Sequence, residues 1–116
     1  MHKYKELEVW KKSIALTKRI YLITSSFPSE EKFGLKSQIN RAAVSIASNI
    51  AEGAGRNSNK EFNQFLGIAI GSMHEVETQI IISFEVGFIE ETVKDEICDQ
   101  ISQLILMTKG LKNHLV

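Results

Sequence analysis

Apolar residues recur three and four positions apart in four stretches of the chain, the spacing of helices that bury one face. The first runs from about Glu6 to Ser25, and Leu7, Trp10, Ile14, Thr17 and Tyr21 share a stripe predicted to face the bundle. A second line, Leu16, Ile20, Ile23 and Phe27, widens the apolar surface beyond what one neighbouring helix covers. Phe27-Pro28-Ser29 stops this helix, because the residue before proline is pushed out of the α region, and Glu30 and Glu31 suit the entry to a new helix N-terminus. The second stretch, from about Leu35 to Gly53, aligns Leu35, Ile39, Ala42, Ala43, Ile46 and Ile50 on one face. Its flanks are small (Ser45, Ala47, Ser48, Ala51, Gly53), which predicts close approach of its neighbours.

Gly53-Ala54-Gly55-Arg56-Asn57 offers positive-φ positions for the end of the second helix, and Ser58 followed by Glu61 forms a capping-box pattern that opens the third. The third helix carries Phe62, Phe65, Leu66, Ala69, Met73, Val76, Ile80 and Phe84 and ends near Gly87, a left-handed cap with apolar Phe88 after it. The fourth, from about Thr92 to Leu115, repeats the period with Val93, Ile97, Ile101, Leu104, Leu111 and Leu115, acids at its start and Lys109 and Lys112 near its end. Short connections predict an all-α, antiparallel, up-down-up-down four-helix bundle, with residues 1–116 as a single domain. Ile80, Ile81 and Ile82 cannot all face one core. Either they leave surface for self-association, or the third helix is central and buried on two sides.

Composition narrows the chemistry. A hydrophobic fraction of 43%, a charged fraction of 24% and a single proline are globular values, and Cys98 as the one cysteine excludes an internal disulfide or a cysteine-based zinc cluster. No signal-type apolar run opens the sequence and no stretch reaches the ~18 apolar residues of a membrane span, so a cytoplasmic protein off the membrane is expected. Net charge is zero, without the general attraction to phosphate of most nucleic-acid binders. The charge is unevenly spread: residues 1–60 hold 11 Lys/Arg against 5 Asp/Glu, and residues 61–116 hold 3 against 9. Such halves complement each other within one fold or between copies, or present a basic face to a partner.

Catalytic patterns fail on inspection. His74-Glu75 would need histidine at position 78 for a zinc-protease helix, where Thr78 stands, and no glutamate has a histidine three residues later as a di-iron bundle requires. The glycine-rich turn at Gly53–Ser58 follows a helix, not a strand, and lacks the Gly-Lys-Ser/Thr ending of a phosphate loop. Asp95 and Asp99 beside Cys98 disfavour its thiolate. No cofactor is therefore expected. One polar set stands out: Ser45, Asn49, Glu52 and Arg56 on the second helix, and Ser72, Glu75 and Gln79 on the third, each spaced three or four apart. Two helices held in register through hydrogen bonds is the simpler account of it. A small-molecule enzyme would need Asn49, Glu52, Arg56 and Glu75 to line an accessible pocket.

The segments Phe33-Gly34-Leu35, Arg41-Ala42-Ala43-Val44-Ser45-Ile46, Asn49-Ile50-Ala51-Glu52-Gly53, Gly55-Arg56, Glu61-Phe62 and Phe65-Leu66 carry a family resemblance. With Leu7-Glu8-Val9-Trp10, Phe27-Pro28 and Gly71-Ser72, they resemble the four-helix bundle proteins encoded within intervening sequences of bacterial 23S rRNA genes, over most of the chain up to about Ile89. The resemblance implies an up-down bundle that forms a ring-shaped homopentamer without established enzymatic activity. A related branch, the accessory proteins of diversity-generating retroelements, implies a basic surface for nucleic acid. This chain departs from the pattern at Asn40, where the first of two paired arginines is common, and at Ala47, where proline is frequent. The favoured expectation is a self-assembling scaffold or adaptor whose partner is itself. The alternative is an RNA- or DNA-binding accessory module using Lys11, Lys12, Lys18 and Arg19 of the basic first helix, together with Lys3 and Lys5.

Overall fold

Four amphipathic helices account for nearly all of the structure, a computed structural model that describes residues 2–115. They are α1 (Glu8–Thr24), α2 (Leu35–Ala54), α3 (Asn59–Glu85) and α4 (Glu91–Leu115), with single 3-10 turns at Tyr4–Glu6 and Ser29–Glu31. Contacts run α1 to α2, α2 to α3, α3 to α4 and α4 back to α1, with none across either diagonal. That cycle is the expected antiparallel four-helix bundle, 43 Å long and 24 by 19 Å across. No strand occurs among the described residues.

Each boundary has a local cause. At the end of α1 the hydroxyls of Ser25 and Ser26 donate to the Leu22 and Ile23 carbonyls, satisfying last-turn acceptors, and Pro28 prevents continuation. Glu31 reaches forward and accepts from the Leu35 amide at 2.9 Å, capping α2. Ser58 Oγ accepts from the Glu61 amide at 3.2 Å, the first half of the predicted capping box, while the Glu61 carboxylate accepts from the Ser58 hydroxyl instead of closing back on the backbone. Gly87, at φ 85°, ends α3 as expected: the Phe88 amide donates to the Ser83 carbonyl at 2.8 Å, and the Phe88 ring lies 5.3 Å from Phe27.

Two expectations are corrected. Neither Gly53 nor Gly55 adopts positive φ. Gly53 lies inside α2 and is buried, and a Cβ there would stand 2.5 Å from Phe65 Cβ, so its absence serves close helix approach. The second correction is the phase of α1. The expected second apolar line, Leu16, Ile20, Ile23 and Phe27, points into the core together with Val9, whereas Ile14 and Tyr21 of the first stripe are 44% and 49% exposed. That inward face also holds Ser13 and Thr24, both fully buried, which weakens its apolar contrast in sequence. Ser13 Oγ donates to the Val9 carbonyl at 2.6 Å and Thr24 Oγ1 contacts Asn40 Oδ1 at 2.9 Å, and these bonds make their burial affordable.

The core runs the length of the bundle through Ile20, Ile39, Ile46, Ile50, Phe62, Leu66, Met73, Ile80, Ile97 and Ile101, each at most 1% exposed. Each such side chain contributes ~1.5–3 kcal/mol on burial, which makes this seam the main source of stability. The α2–α3 pair has the most extensive contact of any helix pair, in line with the small residues of α2. Ile80 joins the core, while Ile81 and Ile82 remain 42% and 44% exposed.

Candidate functional site

On the α2–α3 seam three of the seven residues in the predicted polar set come together. Ser45 Oγ lies 2.9 Å from Ser72 Oγ, and Asn49 Nδ2 donates to the Ser45 carbonyl at 2.8 Å and to its hydroxyl at 3.0 Å. The group spans two helices and carries no charge, so it can set their register but holds no acid, base or nucleophile of altered strength. Glu52 and Arg56 lie apart from it. Arg56 donates to Glu52 Oε1 at 2.7 Å at the surface, with side chains 42% and 57% exposed, and its guanidinium covers the Phe65 ring at 4.8 Å. Glu75 is exposed, and its side chain makes no hydrogen bond among the described residues. Gln79 is 94% buried by its 6% exposure, and its Oε1 has no partner among the described residues.

The basic residues of α1 are likewise divided. Lys11, Lys12 and Lys18 are exposed, with Lys11 3.5 Å from Glu8. Arg19 instead makes a two-point contact with Glu96 of α4, at 2.8 and 3.0 Å, which raises the guanidinium pKa and holds the Glu96 carboxyl below its ordinary value. Lys12 borders a depression of about 280 Å³ between α1 and α4, with Ala15, Leu16, Gln100, Gln103 and Leu104. It contains one cation and no second titratable group with which to do acid–base work.

No group of three or more His, Cys, Asp or Glu is placed to hold a metal ion among the described residues. Burial pushes the Cys98 thiol up, Glu77 and Asp95 add to this and Lys94 opposes it, so the thiol is a poor nucleophile at neutral pH. Two polar clasps escape sequence reasoning. The His2 amide donates to the Ala54 carbonyl at 2.9 Å, its ring nitrogen Nε2 meets Asn59 Oδ1 at 3.1 Å, and the ring lies 4.9 Å from that of Phe62. Lys112 Nζ donates to the Asn63 carbonyl and to its Oδ1, at 2.8 and 2.6 Å, while Asn63 Nδ2 returns a bond to the Lys112 carbonyl. Both tie elements more than forty residues apart, a separation across which helical periodicity carries no signal.

Among these residues no helix is long and apolar enough to cross a membrane. Comparison with curated proteins finds no match. A crystal structure of a protein of unknown function from the S23 ribosomal protein family of Bacteroides thetaiotaomicron is similar over 90% of this chain and 95% of that one, with a TM-score of 0.83 at 24% identity. At that identity the likeness speaks for the fold, and the same helical arrangement is present in both. Residues 5–110, nearly the whole bundle, match the family described as 23S rRNA-intervening sequence protein, and this chain belongs to that family.

Proposed function

We propose that the protein is a non-catalytic scaffold or adaptor that works by self-assembly, as a homopentamer in the cytoplasm. The observation that carries this reading is the apolar surface left outside a complete core. Ile14, Tyr21, Val44, Ile68, Ile81, Val86 and Leu106 are 42–71% exposed, although the helices already enclose a continuous interior. Exposed apolar side chains in such number support a reading in which part of this surface is covered by a partner. Of the polar set, Ser45, Asn49 and Ser72 pair with one another on the α2–α3 seam, while Glu52 and Arg56 pair at the edge of an open depression beside Tyr4 and Ser48 that Asn49 and Glu75 do not line. The subunit number follows the family resemblance.

Native mass spectrometry at micromolar concentration tests the reading, with five copies of the 13.1 kDa chain expected and a monomer alone contradicting it. The nucleic-acid reading draws on Lys11, Lys12 and Lys18 but has lost Arg19 to Glu96, and it stands second.

A further inference from the structure

Ahead of α1 the chain lies as a strap across the C-terminal end of α2. His2 pins it there: its amide donates to the Ala54 carbonyl at 2.9 Å, its ring nitrogen meets Asn59 Oδ1 at 3.1 Å, and its ring lies 4.9 Å from that of Phe62. Further along, the Tyr4 ring meets Trp10 edge-on at 5.4 Å. Between these anchors the strap does not close on the helix. His2 to Glu6 on one side, and Ala51 and Gly55 of α2 on the other, line a mostly apolar trough of about 450 Å³, within the ~300–1,000 Å³ of small-molecule pockets. Its helical wall consists of two residues four apart that offer only a methyl group and a hydrogen. Gly55 has φ −84° and ψ −4°, a conformation open to any L-residue, so the backbone does not call for glycine there. Packing does not call for it either. Apart from its chain neighbours, a Cβ at Gly55 would have only the Ala51 and Glu52 carbonyl oxygens within 4 Å, both at 3.7 Å. Gly53 makes room for Phe65, whereas Gly55 makes room for nothing in this chain.

We infer that this trough is a binding site for a small aromatic anion. Tyr4, the Ala51 methyl and the bare Gly55 suit a flat apolar body. Charge on the strap selects the sign. Lys3 and Lys5 line the trough against the single carboxylate of Glu6, and neither lysine is paired with a carboxylate among the described residues. Lys5 Nζ lies 6.0 Å from the centroid of the Tyr4 ring, which keeps its ammonium beside the space. The end of α2 is the negative pole of that helix, so the anionic group belongs on the strap side and the uncharged rings over Ala51 and Gly55. A cationic ligand would meet two ammonium groups, and a neutral one would leave both unused. The open depression bounded by Glu52 and Arg56 shares Tyr4, Ala51 and Gly55 with the trough and gives the ligand a way in. This site is independent of self-assembly, because every wall of it comes from one chain.

The probe is anilinonaphthalene sulfonate, titrated into the full chain beside phenylnaphthylamine, which has the same rings without the sulfonate. Trp10, the only tryptophan, stands next to Tyr4 and serves as the energy-transfer donor, and circular dichroism verifies helical content. The expected result is saturable binding at one site per chain with transfer from Trp10, tighter for the sulfonate than for the neutral probe. Gly55→Leu should fill the trough and weaken the sulfonate by about tenfold or more, with a smaller loss for Gly55→Ala. Lys3→Gln with Lys5→Gln should weaken the sulfonate by about threefold and leave the neutral probe unmoved. Absence of saturable binding to the wild-type chain would overturn the site. So would an affinity that Gly55→Leu leaves unchanged, since the probe would then be resting on exposed apolar side chains elsewhere. If Gly55→Leu loses helical content, Gly55→Ala decides, and an unchanged affinity in that variant overturns the site equally. Equal affinity for the two probes, unmoved by the lysine changes, would overturn the assignment to an anion.

Discussion

Gly53 and Gly71 are both helical glycines, yet one missing methyl matters at the first and not at the second. A Cβ at Gly53 would meet Phe65 Cβ at 2.5 Å and Phe62 Cδ1 at 3.0 Å, whereas nothing lies within 4 Å of one at Gly71. Gly53→Ala should therefore destabilise by about 1–3 kcal/mol through overpacking, and Gly71→Ala should stabilise by roughly 0.5–1 kcal/mol through helix propensity. Urea melts of the two variants check the opposite signs. Glu52 illustrates a different limit. Its family-like motif and spacing suggest a buried structural carboxylate, but the side chain meets Arg56 in solvent, so Glu52→Ala should cost no more than about 0.5 kcal/mol in the same assay. Spacing places a residue on a helix face. Whether that face is covered depends on the neighbouring helix, which for Glu52 leaves it open and for Ser45 and Asn49 does not.

Helices are the scale at which most of the fold is legible in the sequence. Pro28, Ser58 and Gly87 act through local backbone chemistry, so the ends they set were within reach of sequence reasoning. The phase of α1 was only half legible: the Leu16, Ile20, Ile23 and Phe27 line is apolar in sequence and buried, but the same face includes Ser13 and Thr24, and α3 and α4 similarly bury Ser83 and Thr108. Each of the latter two hydroxyls bonds the carbonyl one turn back, at 2.7 Å, and so counts as apolar in packing but polar in periodicity. The α1–α4 contact, the least extensive between helices, carries the Arg19–Glu96 pair. Because Arg19 lowers the Glu96 carboxyl pKa, folded protein binds fewer protons there than unfolded protein at mildly acidic pH. The pair's contribution is whole above the ordinary carboxylate range and is lost as pH falls through the lowered value. With side chains 38% and 40% exposed, Glu96→Gln should cost less than about 1 kcal/mol at pH 7. That difference should shrink on acidification, and a variant melt series against pH reads it.

At the scale of the molecule, the uneven charge seen along the sequence acquires a direction. Basic residues predominate on the first two helices and acidic ones on the last two, and part of that charge is paired within the fold, Arg19 with Glu96 across the α1–α4 seam and Lys94 with Asp95 on α4. Periodicity shows the excess apolar residues but not that Ile14, Tyr21 and Val44 gather on one side and Ile81 on the other, since that depends on which helices are neighbours. The central claim is that the exposed apolar surface is covered by further copies. Small-angle X-ray scattering across a dilution series tests it most directly, because the isolated bundle has a Cα radius of gyration of 14.5 Å. A scattering mass near five times 13.1 kDa, with a radius of gyration well above 14.5 Å, is the predicted result. A mass near 13.1 kDa and a radius close to 14.5 Å at every concentration would contradict it.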